Sequence, residues 1–240
     1  ALLGQRLHHP HRRDALEAAV QLRFAQRHRG AQFLDVVLHA ALVRGHRRWA
    51  AALAATSVAL GAFFRDPDRQ PDEAPLPDDV VIAPADAKVM HAGPGQAGVA
   101  PEGEWLQVSM FLSVADVHIN RCPYGGTVTD VTYRPGRFLV AFKADSAHLN
   151  ERSEITVSRT VAGEQRVVVF RQVVGVLARR VVTRVGPGDR IATGERIGLM
   201  KFGSRMDVFL PPSAVLGVAT GQRVVAGETV IARFPDEGRP

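Results

Sequence analysis

The spacing of hydrophobic residues changes near residue 70, and this change divides the chain into two predicted regions. Before it, apolar positions recur at helical spacing over residues 14–28, and residues 32–43 form a second apolar helical run. The longest uncharged stretch covers residues 49–64; its sixteen residues would extend about 24 Å as a helix, short of a hydrocarbon core of about 30 Å. Residues 1–70 are therefore predicted to form a basic, helical, membrane-associated region.

A different pattern follows the acidic, proline-rich linker over residues 70–79. Short β-branched runs alternate with glycine and proline turns, which predicts a mainly β catalytic domain over residues 71–240, built as a sandwich or flattened barrel. The predicted strands are residues 80–82, 107–111, 126–133, 155–158, 166–171, 173–180, 190–198, 207–210, 215–218 and 229–234.

An internal repeat lies within this β-rich region. The ten residues from Gly188 and the ten from Gly221 share the pattern Gly-x-Arg-aliphatic-x-x-Gly-Glu-x-aliphatic. Each copy predicts a strand between two tight turns. The pattern resembles the turns of lipoyl- and biotinyl-type flattened barrels, and it favours that architecture for the domain.

Charge and cysteine content indicate the partners and the cellular compartment of the protein. The formal charge is +6, and arginines crowd the first seventy or so positions. Such charge suits binding to nucleic acid or to an anionic membrane. Aromatic residues are scarce and no nucleic-acid-binding motif occurs. A membrane surface is therefore favoured, and no nucleic-acid partner is expected. The single cysteine, Cys122, excludes an internal disulfide and fits a reducing compartment. We therefore expect the protein to lie at the cytoplasmic face of the cell membrane.

The candidate reactive group is a Gly203-Ser204 pair between two apolar runs. Serine is a weak nucleophile unless a base activates it, and the base needs a group that orients it. A glycine in front of the serine leaves its carbonyl open to approach. His118, after an apolar strand, and Asp86, in a turn, are the candidate base and carboxylate. No metal site is predicted, because the only His-x-His pair lies in the N-terminal tail.

Several motifs occur together in one order. They are PADAKV at 84–89, LSVADVHINRCP at 112–123, NER at 150–152, GVLARRVV at 175–182 and GERIGLMKFGSRMD at 194–207. By these motifs the chain resembles, over about residues 63–234, the phosphatidylserine decarboxylase proenzymes of the short, single-histidine type. Longer members of that family carry a second histidine three positions after the first, where this chain has Arg121.

The resemblance implies a pyruvoyl-dependent decarboxylation of phosphatidylserine to phosphatidylethanolamine. Asp86 would orient His118, and His118 would deprotonate Ser204. Attack of Ser204 on the Gly203 carbonyl would split the chain, and Ser204 would become the pyruvoyl cofactor. His118 is also the candidate that returns a proton to the substrate carbon after carbon dioxide leaves.

The same resemblance names the partners and the substrate contacts. The products would be a large chain 1–203 and a small chain 204–240 that stay partners on a membrane surface; a homodimer is left open. The apolar stretch from Phe138 to Phe142 resembles a mobile loop near the substrate, and Arg179 and Lys201 are weaker candidates for binding the lipid phosphate.

Three alternatives stay open at this point. One is a pyruvoyl decarboxylase that acts on another amine substrate, including a different lipid. The second is a biotinyl- or lipoyl-type carrier modified at Lys201, because Met200-Lys201-Phe202 resembles the hairpin of such carriers. The third is a zinc peptidase on a similar β scaffold, although the paired histidine ligands that it needs are missing from the β-rich region.

Overall fold

The computed structural model describes residues 47–63, 65–69, 71, 75–143, 145–177, 180–200 and 203–235. The chain divides into two compact units, Ala1–Ala62 and Phe63–Pro240. The described residues contain two α-helices: α1, Arg47–Phe63, and α2, Ser146–Leu149.

Helix α1 supplies the described part of the first unit. Its sequence is rich in alanine, a strong helix former, and the predicted helix over residues 49–64 corresponds to it. Trp49 and Val58 on this helix are exposed. Within the described residues, no helix combines the length and the apolar character needed to cross a membrane. The predicted helices over 14–28 and 32–43 lie outside the described residues.

The second unit is built almost entirely of β-strands, which confirms the mainly β prediction. The strands are β1 Val80–Ile82, β2 Ala87–Pro94, β3 Leu106–Leu112, β4 Ile119–Arg121, β5 Gly126–Arg134, β6 Arg152–Val161, β7 Glu164–Val173, β8 Val181–Thr183, β9 Arg190–Ile191, β10 Arg196–Met200, β11 Ser204–Leu210, β12 Val215–Leu216, β13 Arg223–Val224 and β14 Val230–Arg233.

These strands form one large antiparallel sheet and two small ones. The large sheet has the order β13-β2-β3-β11-β7-β6-β5-β9, and the three-stranded sheets have the orders β1-β14-β12 and β4-β10-β8. Strand β11 is central and buried at all seven positions. One of its faces carries Met206, Val208 and Leu210 into the main hydrophobic core.

The two copies of the internal repeat occupy equivalent places in the fold. They supply β9 and β13, the two-residue strands at opposite ends of the large sheet. Gly188 and Gly221 both have left-handed backbones, and their N–H groups donate to Val128 and Val89, respectively, each at 2.8 Å. Short edge strands of this kind limit unwanted pairing with other chains.

Some strand predictions are wrong, for local reasons. The predicted strand over 173–180 is absent from residues 174–177, because β7 ends at Val173 and the chain leaves the sheet. The predicted strand over 190–198 is two strands, β9 and β10, separated by a turn at Gly194, whose φ is +83°. Strand β2 is missing from the prediction because Lys88, His91 and Gly93 interrupt its apolar pattern.

Candidate active site

Ser204 begins the central strand β11 and is fully buried. Its backbone lies opposite Leu112, at the end of β3. The Ser204 Oγ is buried and makes no hydrogen bond with any residue that the structure describes. A buried hydroxyl without a partner costs about 1–3 kcal/mol, so a chemical role for this oxygen is the natural explanation.

The Gly203 carbonyl, which Ser204 would attack, lies directly against Gly175. Gly203 has a φ of +69°, a left-handed conformation that glycine adopts without strain. A Cβ atom added to Gly175 would lie only 1.9 Å from the Gly203 carbonyl oxygen. Only a glycine at position 175 therefore leaves room for this carbonyl in its present place.

His118 presents one ring nitrogen to the backbone of Gly203. Its Nε2 lies 3.3 Å from the Gly203 backbone nitrogen, and its Nδ1 lies 2.7 Å from the Asp116 carbonyl oxygen. Because the Gly203 N–H can only donate and the Asp116 carbonyl can only accept, this network assigns the proton to Nδ1 and the accepting lone pair to Nε2. That is the tautomer that a general base needs, and its Nε2 faces the backbone N–H of the residue before Ser204.

The surroundings of His118 favour the neutral ring. The side chain is 3% exposed, and this burial lowers the pKa of His118 below its usual 6.5. The Asp116 carbonyl and carboxylate act in the opposite direction and raise the pKa, whereas the Arg65 guanidinium lowers it further. Burial is the largest of these effects, so the ring is neutral and able to accept a proton near pH 7.

Asp116 is a functional residue that the sequence reasoning missed. Its Oδ2 accepts hydrogen bonds from the Ser113 N–H and hydroxyl, both at 2.7 Å, and its Oδ1 accepts one from Arg223 at 2.8 Å. These bonds fix the turn whose carbonyl orients His118. The Ser-x-x-Asp spacing, typical of a side-chain-stabilised turn, is the signal that could have identified it.

Asp86 makes its hydrogen bonds with residues other than His118. Its Oδ2 accepts a hydrogen bond from Arg69 at 2.9 Å, and its Oδ1 accepts one from the Ala226 N–H at 2.8 Å. Among the described residues, no hydrogen bond links Asp86 to His118. The structure therefore brings His118, Gly203 and Ser204 together, while Asp86 holds the chain near Arg69.

The stretch from Phe138 to Phe142 reaches the site through Ala141. An added Cβ on Gly175 would lie 3.3 Å from Ala141 Cβ, and Phe142 packs edge-on against Phe111, with ring centroids 5.7 Å apart. Phe138 and Phe142 are themselves exposed, at 41% and 60%.

Asn150, in the NER motif, fastens this loop to the strand that leads to Gly175. Its side chain exchanges two hydrogen bonds with the Leu139 backbone, at 2.9 and 2.8 Å, and donates a third to the Val174 carbonyl at 2.7 Å. The sequence alone assigns no role to this motif. The proposed phosphate ligands Arg179 and Lys201 lie outside the described residues.

The site belongs to the class of proenzyme centres in which a serine is poised to attack its own backbone. A buried hydroxyl, the carbonyl of the preceding glycine, and a neutral histidine that contacts the backbone of that glycine are the elements that such an attack requires.

Comparisons with known proteins agree with this class. The profile of the family described as phosphatidylserine decarboxylase matches residues 59–232. The chain is 47% identical over 174 residues to a phosphatidylserine decarboxylase proenzyme of Solibacter usitatus, covering 72% of this chain and 78% of that protein. It is 42% identical over 210 residues to the proenzyme of the same name from Symbiobacterium thermophilum, covering 86% and 94%. The chain belongs to the phosphatidylserine decarboxylase family.

Proposed function

We propose that this protein is a proenzyme that cleaves itself between Gly203 and Ser204 and then decarboxylates phosphatidylserine to phosphatidylethanolamine. The observation that carries the proposal is the placement of the His118 Nε2 lone pair at 3.3 Å from the Gly203 nitrogen, beside a buried Ser204 hydroxyl that has no partner among the described residues. Family membership supports the substrate.

The self-cleavage follows from these groups. His118 Nε2 takes the Ser204 hydroxyl proton while Oγ bonds to the Gly203 carbonyl carbon. The amide C–N bond then breaks, its nitrogen takes a proton, and an ester remains. Loss of the Ser204 α-proton breaks the Cβ–Oγ bond and releases the Gly203 carboxylate. Water then replaces the nitrogen of residue 204, ammonia leaves, and a pyruvoyl group remains on the small chain 204–240, next to the large chain 1–203.

The residues present fit a pyruvoyl group at position 204. The buried Ser204 Oγ, which has no partner among the described residues, would leave with Gly203, and the new carbonyl would form at Cα of residue 204, at the start of a strand that is paired on both sides. Such a group would supply an electron sink for the electron pair left when carbon dioxide departs from a serine headgroup. Neutral His118, whose ring contacts the Gly203 backbone, would move protons at the substrate carbon that loses carbon dioxide.

A membrane surface is the proposed setting, at the cytoplasmic face of the cell membrane. Three exposed apolar side chains follow directly on the residues that frame the cleavage site: Phe142 comes after Ala141, and Val176 and Leu177 come after Gly175. Such an apolar rim suits a lipid substrate whose headgroup must reach Ser204. The basic region over residues 1–70 supports the same setting through its attraction to anionic lipids.

The comparison of the β domain with lipoyl- and biotinyl-type flattened barrels also belongs to this proposal. Its support is the equivalent placement of β9 and β13, together with left-handed backbones at Gly194 and Gly227 in matching turns.

The test combines an intact-mass measurement with product analysis. The denatured protein should give two chains that meet at residues 203 and 204, with a blocked first residue on the small chain. The purified protein should release carbon dioxide from vesicles containing phosphatidylserine. Ser204→Ala should remain one chain without activity, because the nucleophile and the cofactor precursor are the same residue.

Ser213→Ala is the matched control, since Ser213 is an exposed serine in a turn of the same small chain. Ser213→Ala should split into two chains and decarboxylate phosphatidylserine at the rates of the parent protein. Decarboxylation by purified Ser204→Ala would refute the pyruvoyl mechanism. A processed protein that ignores phosphatidylserine but decarboxylates another amine would keep the mechanism and change the substrate.

A further inference from the structure

Phe63 covers the ring of His118. The two ring centroids are 4.5 Å apart with the planes tilted by 35°, and Phe63 is itself buried. Phe63, Arg65, Ile119 and Leu199 enclose His118 around a cavity of about 10 Å³. A cavity of this size has room for one water molecule at most.

The chain around Phe63 is fastened at several points. We call Phe63 together with residues 65–69 the capping segment. Arg65 donates to the Ala115 carbonyl at 2.9 Å, and Asp66 accepts from Arg196 at 2.9 Å. Arg121 donates to the Pro67 carbonyl at 3.1 Å.

The capping segment ends at Arg69, which donates to Asp86 at 2.9 Å. Two residues of the family motifs, Asp86 and Arg121, thus hold the capping segment and not the imidazole itself. Arg121 occupies the position of the second histidine of longer family members. In this chain the residue at that position binds the capping segment through the Pro67 carbonyl.

We propose that Phe63 is a positioning residue for self-cleavage: it shields the His118 ring from water and keeps its Nε2 directed at the Gly203 backbone, next to Ser204. The role of Phe63 in self-cleavage rests on the proposed function. The shielding of the His118 ring can be measured without any cleavage.

The charges near His118 support this role. Asp116 acts on the ring from its own segment, and Arg65 acts on it from the capping segment. Ile119 and Leu199, which line the same cavity, carry no charge. Removal of the Phe63 ring would admit water, reduce the cost of charging the imidazole, and move the pKa of His118 upward toward its ordinary value of about 6.5.

The direct experiment is a histidine titration by NMR in the uncut Ser204→Ala protein. The chain has nine histidines, and His118→Gln identifies the signal of interest. Phe63→Ala should raise the pKa of His118, and Phe63→Leu, which keeps an apolar cover, should raise it less. Phe234→Ala is the matched control, because Phe234 is also buried but packs on Tyr124; it should leave the titration of His118 unchanged.

The second measurement is the pH profile of chain splitting in the protein with Ser204 intact. Phe63→Ala should split more slowly, and its half-maximal rate should lie at a higher pH, with recovery in Phe63→Leu. An unchanged pKa of His118 in folded Phe63→Ala would overturn the proposal; if that variant does not fold, the absence of any shift in Phe63→Leu would do so. A parent protein that never splits would refute the proposed function and leave the titration result standing.

Discussion

Gly175→Ala should block self-cleavage by displacing the carbonyl that Ser204 attacks. The added Cβ would lie 1.9 Å from the Gly203 oxygen, whereas ordinary van der Waals contact begins at 3.4 Å. The difference of these two distances requires a shift of about 1.5 Å between the two backbones. The obstructing atom is a backbone oxygen, which cannot swing away as a flexible side chain can.

The size of the effect follows from this displacement. A misplacement of about 1 Å between reacting groups can cost about 10²-fold in rate. We therefore expect Gly175→Ala to split at least about 10²-fold more slowly than the parent, equivalent to about 2.7 kcal/mol in the barrier.

The assay follows the uncut precursor by denaturing gel after synthesis of the protein in vitro. A parallel sample with hydroxylamine, which cleaves esters, reports whether the first step occurs. Gly175→Ala should show neither spontaneous chains nor chains released by hydroxylamine, because the ester never forms.

Gly186→Ala is the matched control. The nearest atom to its added Cβ is Asp189 Oδ2 at 3.9 Å, an ordinary contact, so its splitting rate should equal that of the parent. Thermal unfolding of both variants separates a loss of fold from a loss of geometry. A folded Gly175→Ala protein that splits at the parental rate would refute the steric argument.

Three further predictions concern the same machinery. Because the pKa of His118 lies below 6.5 and only the neutral ring accepts a proton, the splitting rate should be half-maximal at a pH below about 6.5; a half-maximal rate above that pH would contradict this. Deletion of residues 1–62 should reduce flotation with anionic liposomes, since each basic residue near the membrane surface contributes about 1 kcal/mol to binding. Chain splitting should persist, because all site residues lie in the second unit. Undiminished flotation would place the membrane anchor in the β domain. Asp86→Asn should slow splitting, and Arg69→Ala should reproduce the effect if Asp86 acts through the capping segment; a normal rate in Arg69→Ala beside a slow Asp86→Asn would favour a direct action on His118.

The sequence predicts strands best where burial and β-branched composition coincide. Strand β1, Val80–Ile82, has the predicted bounds, because three consecutive apolar β-branched residues between turns leave few other conformations. Strand β2 owes its conformation to pairing with β3, and such long-range pairing leaves no regular pattern in a sequence that contains Lys88, His91 and Gly93.

The same distinction applies to the site. Local motifs single out His118 and the Gly203–Ser204 bond, which the structure brings together. The contacts that make the site work join residues far apart in sequence: Gly175 with the Gly203 carbonyl, and Phe63 with the His118 ring. No local pattern encodes these pairs, because they arise only when β7, β10 and the capping segment meet in the folded chain.

The position of β11 sets how the processed protein can unfold. All seven residues of this strand pair with β3 on one side, and five pair with β7 on the other. Once the bond before Ser204 is cut, the middle of the large sheet belongs to a separate polypeptide of the same molecule. Unfolding then releases two chains, so recovery of the native state becomes a bimolecular reaction whose extent depends on protein concentration. A heated sample of processed protein should therefore regain its fold less completely on dilution, whereas the uncut Ser204→Ala chain should refold independently of concentration.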